Sequence, residues 1–191
     1  IPVHLYGQPA RMNEIKAICD KNNLVLIEDA AEAHGALYDG KKIGSIGEMG
    51  CFSFFGNKIV TTGEGGMVTT DNETLYRKMK VLRDHGKSPE DPSIHEVIGY
   101  NYRMTNMQAA VGLAQMERIE EIIEDKLRIA KSYKKYLGTN SSLIMPPENN
   151  WSLNVNWLFC FRLKPLGSLK EVEVKRDKVI RALEKNLIEA R

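Results

Sequence analysis

Leu24-Val25-Leu26-Ile27-Glu28-Asp29-Ala30-Ala31-Glu32-Ala33-His34-Gly35 is the stretch on which the fold turns. Four apolar residues run without interruption and stop at two acids. An apolar run of this length, closed by charge, is how a parallel strand buried on both faces reads. Upstream, Met12, Ile15, Ile18 and Cys19 recur at helical spacing across 11–22. Further upstream, 3–6 reads as a short strand followed by the turn Gly7-Gln8-Pro9. Downstream, 51–55 and 67–70 are two more strand candidates. Strands alternating with helices predict an α/β layer on a mostly parallel sheet with flanking helices.

The middle of the chain is helical. Asp71 or Asn72 can cap a helix running to about Arg83, with Leu75, Met79 and Leu82 on one face. The segment 85–98 carries Pro89 and Pro92 and no periodicity, so it reads as a loop. A long helical stretch over 105–137 is interrupted near 116–118. Its second part places Ile119, Ile122, Ile123, Leu127, Ala130 and Tyr133 at three- and four-residue steps. Asn, Ser and Pro enrich 138–156, which reads as a linker. A strand over 157–163 and a helix over 175–186 follow. This predicts a large domain over 1–137, including the long helix, and a linker with the beginning of a small C-terminal α+β domain over 138–191.

Composition narrows the function. The chain has 191 residues, with 27 Lys and Arg against 25 Asp and Glu, a formal net charge of +2. So even a balance argues against a nucleic-acid or anionic-membrane surface. No apolar run approaches the ~20 residues of a membrane span. Cys19, Cys51 and Cys160 are odd in number and far apart, which suits a reducing cytoplasm better than a disulfide framework or a metal site. His4, His34, His85 and His95 have no metal-ligand spacing. No G-x-S-x-G elbow supports a hydrolase. The chain opens on Ile1-Pro2 and closes on Ala190-Arg191 directly after a helical pattern, and both ends read as cuts within a longer protein.

Four features fall at the ends of the predicted strands, where ligands bind in open α/β sheets. Glu28, Asp29 and Glu32 close the first strand. They read either as solvated loop charge or as an acid aimed at a cationic heterocycle. In Cys51-Phe52-Ser53-Phe54-Phe55-Gly56-Asn57-Lys58, a lysine follows an apolar run. It is a surface lysine or a partly desolvated amine of lowered pKa, able to act as nucleophile or Schiff-base former. Ser53 could bind a phosphate. Thr61-Thr62-Gly63-Glu64-Gly65-Gly66 lacks the order of either nucleotide loop and reads as a tight turn into the next strand. Gly99-Tyr100-Asn101-Tyr102-Arg103-Met104 is packing before a long helix, or an arm reaching a neighbouring subunit.

Taken together, E-D-A-A-E-A-H-G at 28–35, F-S-F-F-G-N-K at 52–58, T-T-G-E-G-G-M-V at 61–68 and G-Y-N-Y-R-M-T-N-M-Q-A-A at 99–110 resemble the DegT/DnrJ/StrS aminotransferases. The resemblance runs through nearly the whole chain with order and spacing kept. It implies a pyridoxal-phosphate (PLP) transferase of fold type I. The implied reaction moves an amino group from glutamate to a nucleotide-linked 4-keto-6-deoxy sugar. Carried over by position, Lys58 is the lysine that bonds the cofactor, and Asp29 is the acid paired with its pyridine nitrogen. Ser53 is a phosphate ligand, and Glu32 lies beside the ring and its 3-hydroxyl. Asn101 reaches the partner subunit's cofactor phosphate in a homodimer with shared sites, and Arg103 lines the same region. The family's Gly-Thr phosphate segment and ring-stacking aromatic fall outside this chain. A dehydratase branch of the family carries histidine in place of the lysine, and Lys58 argues against it. A non-catalytic sensor or inert fragment on the same fold is the remaining alternative; Asp29, Ser53 and Lys58 argue against the sensor.

Overall fold

The computed structural model describes residues 1–165 and 167–190. They form two compact units, one of Ile1–Ile129 with Glu148–Leu158, the other of Ala130–Pro147 with the described residues after Leu158. The chain is mixed α/β.

In the first unit, β1 (Ile27–Asp29) pairs in parallel with β4 (Met49–Ser53), and β4 pairs antiparallel with β5 (Gly66–Thr69). Val3 joins the other edge of β1 through a parallel bridge to Asp29. Two short strands, β2 (Leu37–Tyr38) and β3 (Lys41–Lys42), form a hairpin, and β7 (Ser152–Leu153) adds to its β2 edge. Helix α1 (Met12–Lys21) inserts Met12 into the core, fully buried. Helix α2 (Glu73–Arg83) starts at Asn72, whose side chain accepts the amides of Thr74 and Leu75. Leu26, Ala30, Ala33, Tyr38, Phe54, Val60, Ile123 and Val155 share one buried cluster.

The strand β1 begins later than the apolar run predicts, because Leu24 and Val25 are exposed while the acid Glu28 is fully buried. Glu28 accepts the amides of Gly44, Ile46 and Gly47 at 3.0, 2.7 and 2.7 Å. Its Oε2 also lies 3.2 Å from Nε2 of His4, a contact buried on both sides. Burial raises the cost of its charge, but His4 and the three amides outweigh it and hold the carboxyl below its usual range. The turn can come this close because Gly44 lies at φ +85° against Gly50, where a Cβ would meet Gly44 at 2.4 Å. The reading of Glu28 as solvated loop charge is therefore corrected.

The interrupted helix divides into α3 (Asn106–Met116) and α4 (Ile119–Leu137). Thr105 and Gln108 form a capping box at the start of α3. In the second unit, β6 (Leu143–Ile144) pairs with β8 (Arg162–Leu163), and α5 (Leu169–Lys185) begins at a Ser168–Glu171 capping box. The strand predicted over 157–163 is only Arg162–Leu163, and α5 starts six residues before the predicted 175. The short strand predicted over 3–6 gives a single bridge at Val3, then a 3-10 turn over Leu5–Gly7. Among the described residues, no helix is long and apolar enough to cross a membrane.

Candidate active site

Asp29 ends β1 and Ser53 ends β4, and the two strands are parallel neighbours with Asp29 opposite Cys51. Both residues therefore sit at the same carboxyl edge of the sheet, where the chain leaves the strands for loops. Asp29 Oδ1 accepts the Ala31 amide at 3.1 Å, which turns the chain out of β1 toward Glu32. The Ser53 hydroxyl accepts the Phe55 amide at 3.3 Å. The Cys51 thiol, opposite Asp29, is pushed above its usual pKa by burial and then by the Asp29 charge.

The loop after β4 delivers Lys58. Its amide donates to the Phe55 carbonyl, closing a turn. Phe54 is pinned from two sides: its carbonyl accepts the Thr62 amide and the Thr61 hydroxyl, and its amide donates to Gly65. Helix α3 braces this loop, since Gln115 Nε2 donates to the Thr61 carbonyl at 2.6 Å and Gln108 Nε2 to the Glu64 carbonyl at 3.1 Å. The segment Thr61–Gly66 is thus a tight turn into β5, with the Gly63 amide already spent on the Thr61 hydroxyl.

Lys58 is mostly buried, with 12% of its side chain exposed. Its Nζ lies 3.7 Å from Glu32 Oε1, too far for a hydrogen bond. The other Glu32 oxygen accepts the Tyr6 amide at 2.7 Å. The Trp157 ring covers Lys58, with Nζ 3.8 Å from the ring centroid. Sequence reasoning did not identify Tyr6 or Trp157 as neighbours of the lysine, because both come from distant segments.

His34, buried between Phe52 and Phe54, has neither ring nitrogen hydrogen-bonded. Burial first, then the nearby Lys58 charge, lowers its pKa to about 4, so it is neutral near pH 7. Asn101 stands on another segment. It is exposed, bridges to Asp84, and precedes Arg103, whose guanidinium pairs with Asp84 at 3.0 Å.

This donor set fits pyridoxal phosphate. A shielded amine, paired with a carboxylate but not hydrogen-bonded to it, is available to an aldehyde. A carboxylate and a hydroxyl share the sheet edge, suited to a pyridinium and a phosphate ester. Comparison with known proteins gives the family. The chain belongs to the DegT/DnrJ/EryC1/StrS aminotransferase family, whose model matches residues 1–191. It is 44% identical to the GDP-perosamine synthase of Caulobacter vibrioides, covering 100% of this chain and 50% of that protein. It is 41% identical to an aminotransferase of Bacillus subtilis named as pyridoxal phosphate-dependent, over 83% of this chain and 41% of that protein. The solved aminotransferase of Psychrobacter cryohalolentis superposes with a TM-score of 0.83 at 37% identity, covering 96% of this chain and 51% of that one. The chain spans about half the length of the curated relatives it matches.

Proposed function

We propose that this chain supplies the lysine, the ring acid and part of the phosphate site of a PLP-dependent sugar-nucleotide aminotransferase acting in the cytoplasm. The amino donor is glutamate, which leaves as its keto acid. The acceptor is a nucleotide-linked 4-keto-6-deoxy sugar, of the kind a GDP-perosamine synthase would use. The observation that carries this reading is the Lys58 amine, shielded by Trp157 and held just short of a hydrogen bond to Glu32.

Pyridoxal phosphate, when bound, supplies an aldehyde that bonds amines and a ring that withdraws electrons from the adjacent carbon. The residues of the chain do the rest. Lys58 would hold the group through its aldehyde, and its Nζ, once free, would take up and return a proton. Asp29 would hold the protonated ring nitrogen, Ser53 would donate to the phosphate, and Glu32 would stand by the ring hydroxyl.

The active unit is a homodimer in which Asn101 serves the partner's phosphate site. Supporting this, the segment around Asn101 and the following helix expose Tyr102, Met107, Val111 and Leu113, an apolar surface that a second copy would cover. The test is to incubate the purified protein with glutamate, PLP and a GDP-linked 4-keto-6-deoxy sugar and to weigh the sugar product. Gain of an amino group supports the reading. Loss of a hydroxyl instead would assign the dehydratase reaction, and no change with cofactor bound would leave a binding protein.

A further inference from the structure

Trp157 contacts both Lys58 and the residue before it. Its ring face lies 3.8 Å from Nζ, and its indole N–H donates to the carbonyl of Asn57, the preceding residue, at 2.7 Å. The tryptophan is 7% exposed, so both contacts are shielded from water. A cation over a desolvated indole face is attracted by the ring quadrupole. The Asn57 carbonyl has its orientation fixed by the same side chain.

The backbone around this contact is bent to make it. Gly7 lies at φ +95°, and a Cβ there would stand 2.8 Å from Val155 Cγ2 and about 3 Å from the amides of Asn156 and Trp157. Only glycine lets the Trp157 segment come so close. Asn156 is left-handed at φ +50°, with its amide folded onto its neighbour Asn154 at 2.7 Å. Tyr6 is left-handed at φ +56°, which is uncommon for an aromatic residue, and its ring stacks near Trp157 at 6.2 Å. Two strained non-glycine residues therefore flank the Lys58 contacts, one beside Glu32 and one beside Trp157. Strain of this kind persists where the surroundings over-determine it.

Resting on the aminotransferase reading above, we propose that Trp157 is a positioning residue for Lys58. It covers the amine and holds the Asn57–Lys58 turn, so that the amine meets an incoming aldehyde already oriented.

The test compares wild type, Trp157→Leu, Trp157→Phe and Met12→Ala. Met12 is a fully buried core residue of α1, and its truncation serves as a destabilised control. PLP is titrated into each protein, the visible adduct is followed, and borohydride fixes it for mass spectrometry at Lys58. Thermal unfolding is recorded in parallel. Trp157→Leu should weaken capture on the order of tenfold, with Trp157→Phe in between, since the smaller ring keeps a face but loses the N–H. Met12→Ala should bind PLP like wild type. Should Trp157→Leu fail to fold, Trp157→Phe decides on the same measure. The proposal is overturned if the Trp157 variants capture PLP within about twofold of wild type, or if Met12→Ala weakens capture as much. If the wild type itself captures no PLP at Lys58, the aminotransferase reading falls and takes this proposal with it.

Discussion

The Nζ of Lys58 stands 3.7 Å from Oε1 of Glu32, near enough to attract and too far to close a hydrogen bond. The other oxygen of Glu32 accepts the Tyr6 amide, and the Trp157 ring covers Lys58. An amine kept beside a carboxylate without being consumed by it can still bond another group.

Asp29→Asn should leave fold and cofactor content intact, because an amide oxygen still accepts the Ala31 amide. The neutral side chain no longer favours a protonated ring. Turnover should fall by at least ~10²-fold, the scale of losing one preorganised electrostatic partner. Steady-state kinetics with cofactor content measured by absorbance check this; unchanged turnover would move Asp29 away from the ring.

Glu28→Gln should destabilise the fold by about 3 kcal/mol, because one position of the buried group would present donors to amides that are themselves donors. The folded carboxyl is depressed, so its stabilisation is complete above the ordinary carboxylate range. It is lost as pH falls through the lowered folded value. Urea midpoints at neutral and acid pH measure both effects, and a midpoint shared by the two proteins at pH 7 would refute them.

His34 contributes in the opposite chemical sense but the same direction. It stays neutral in the fold down to about pH 4, whereas in the unfolded chain it takes a proton near pH 6.5. Below pH 6.5 the unfolded state therefore binds more protons, and stability falls until about pH 4. Over that window the loss approaches ~3 kcal/mol. His34→Leu should flatten the stability profile between those values, which denaturant unfolding across the range would reveal; a wild-type slope in the variant contradicts the assignment.

Mixing an Asn101→Ala subunit with a Lys58→Ala subunit tests the shared site. If Asn101 serves the partner, each mixed dimer has one site with both lesions and one with neither. Two nearly inactive proteins should then recover up to about half of one dimer's activity. No recovery after demonstrated subunit exchange places Asn101 in its own subunit's site or in none.

Much of this was legible in sequence because it is local. The apolar run into Glu28-Asp29 and the lysine after Phe52-Ser53-Phe54-Phe55 mark strand ends by order alone. The Asn72 cap and the break between α3 and α4 follow from residue type and spacing. What sequence hid was long-range. Glu28 looks like surface charge until the 44–47 turn brings three amides to it, which depends on Gly44 meeting Gly50. Trp157 reads as the start of a strand, but its indole is committed to Asn57 and Lys58, and its neighbour Asn156 turns the backbone left-handed. The early start of α5 had a local signal in Ser168 and Glu171, a capping box that outweighs the weaker periodicity around it.

The central claim is that Lys58 is the amine that bonds the cofactor. The most direct measurement adds PLP to wild-type and Lys58→Ala protein, reduces with borohydride, and maps the adduct by peptide mass spectrometry. The account predicts one stoichiometric adduct on Lys58 with a visible band that reduction removes, and neither in Lys58→Ala protein that unfolds at the wild-type temperature. An adduct on another lysine, or a band that survives in Lys58→Ala, would contradict it.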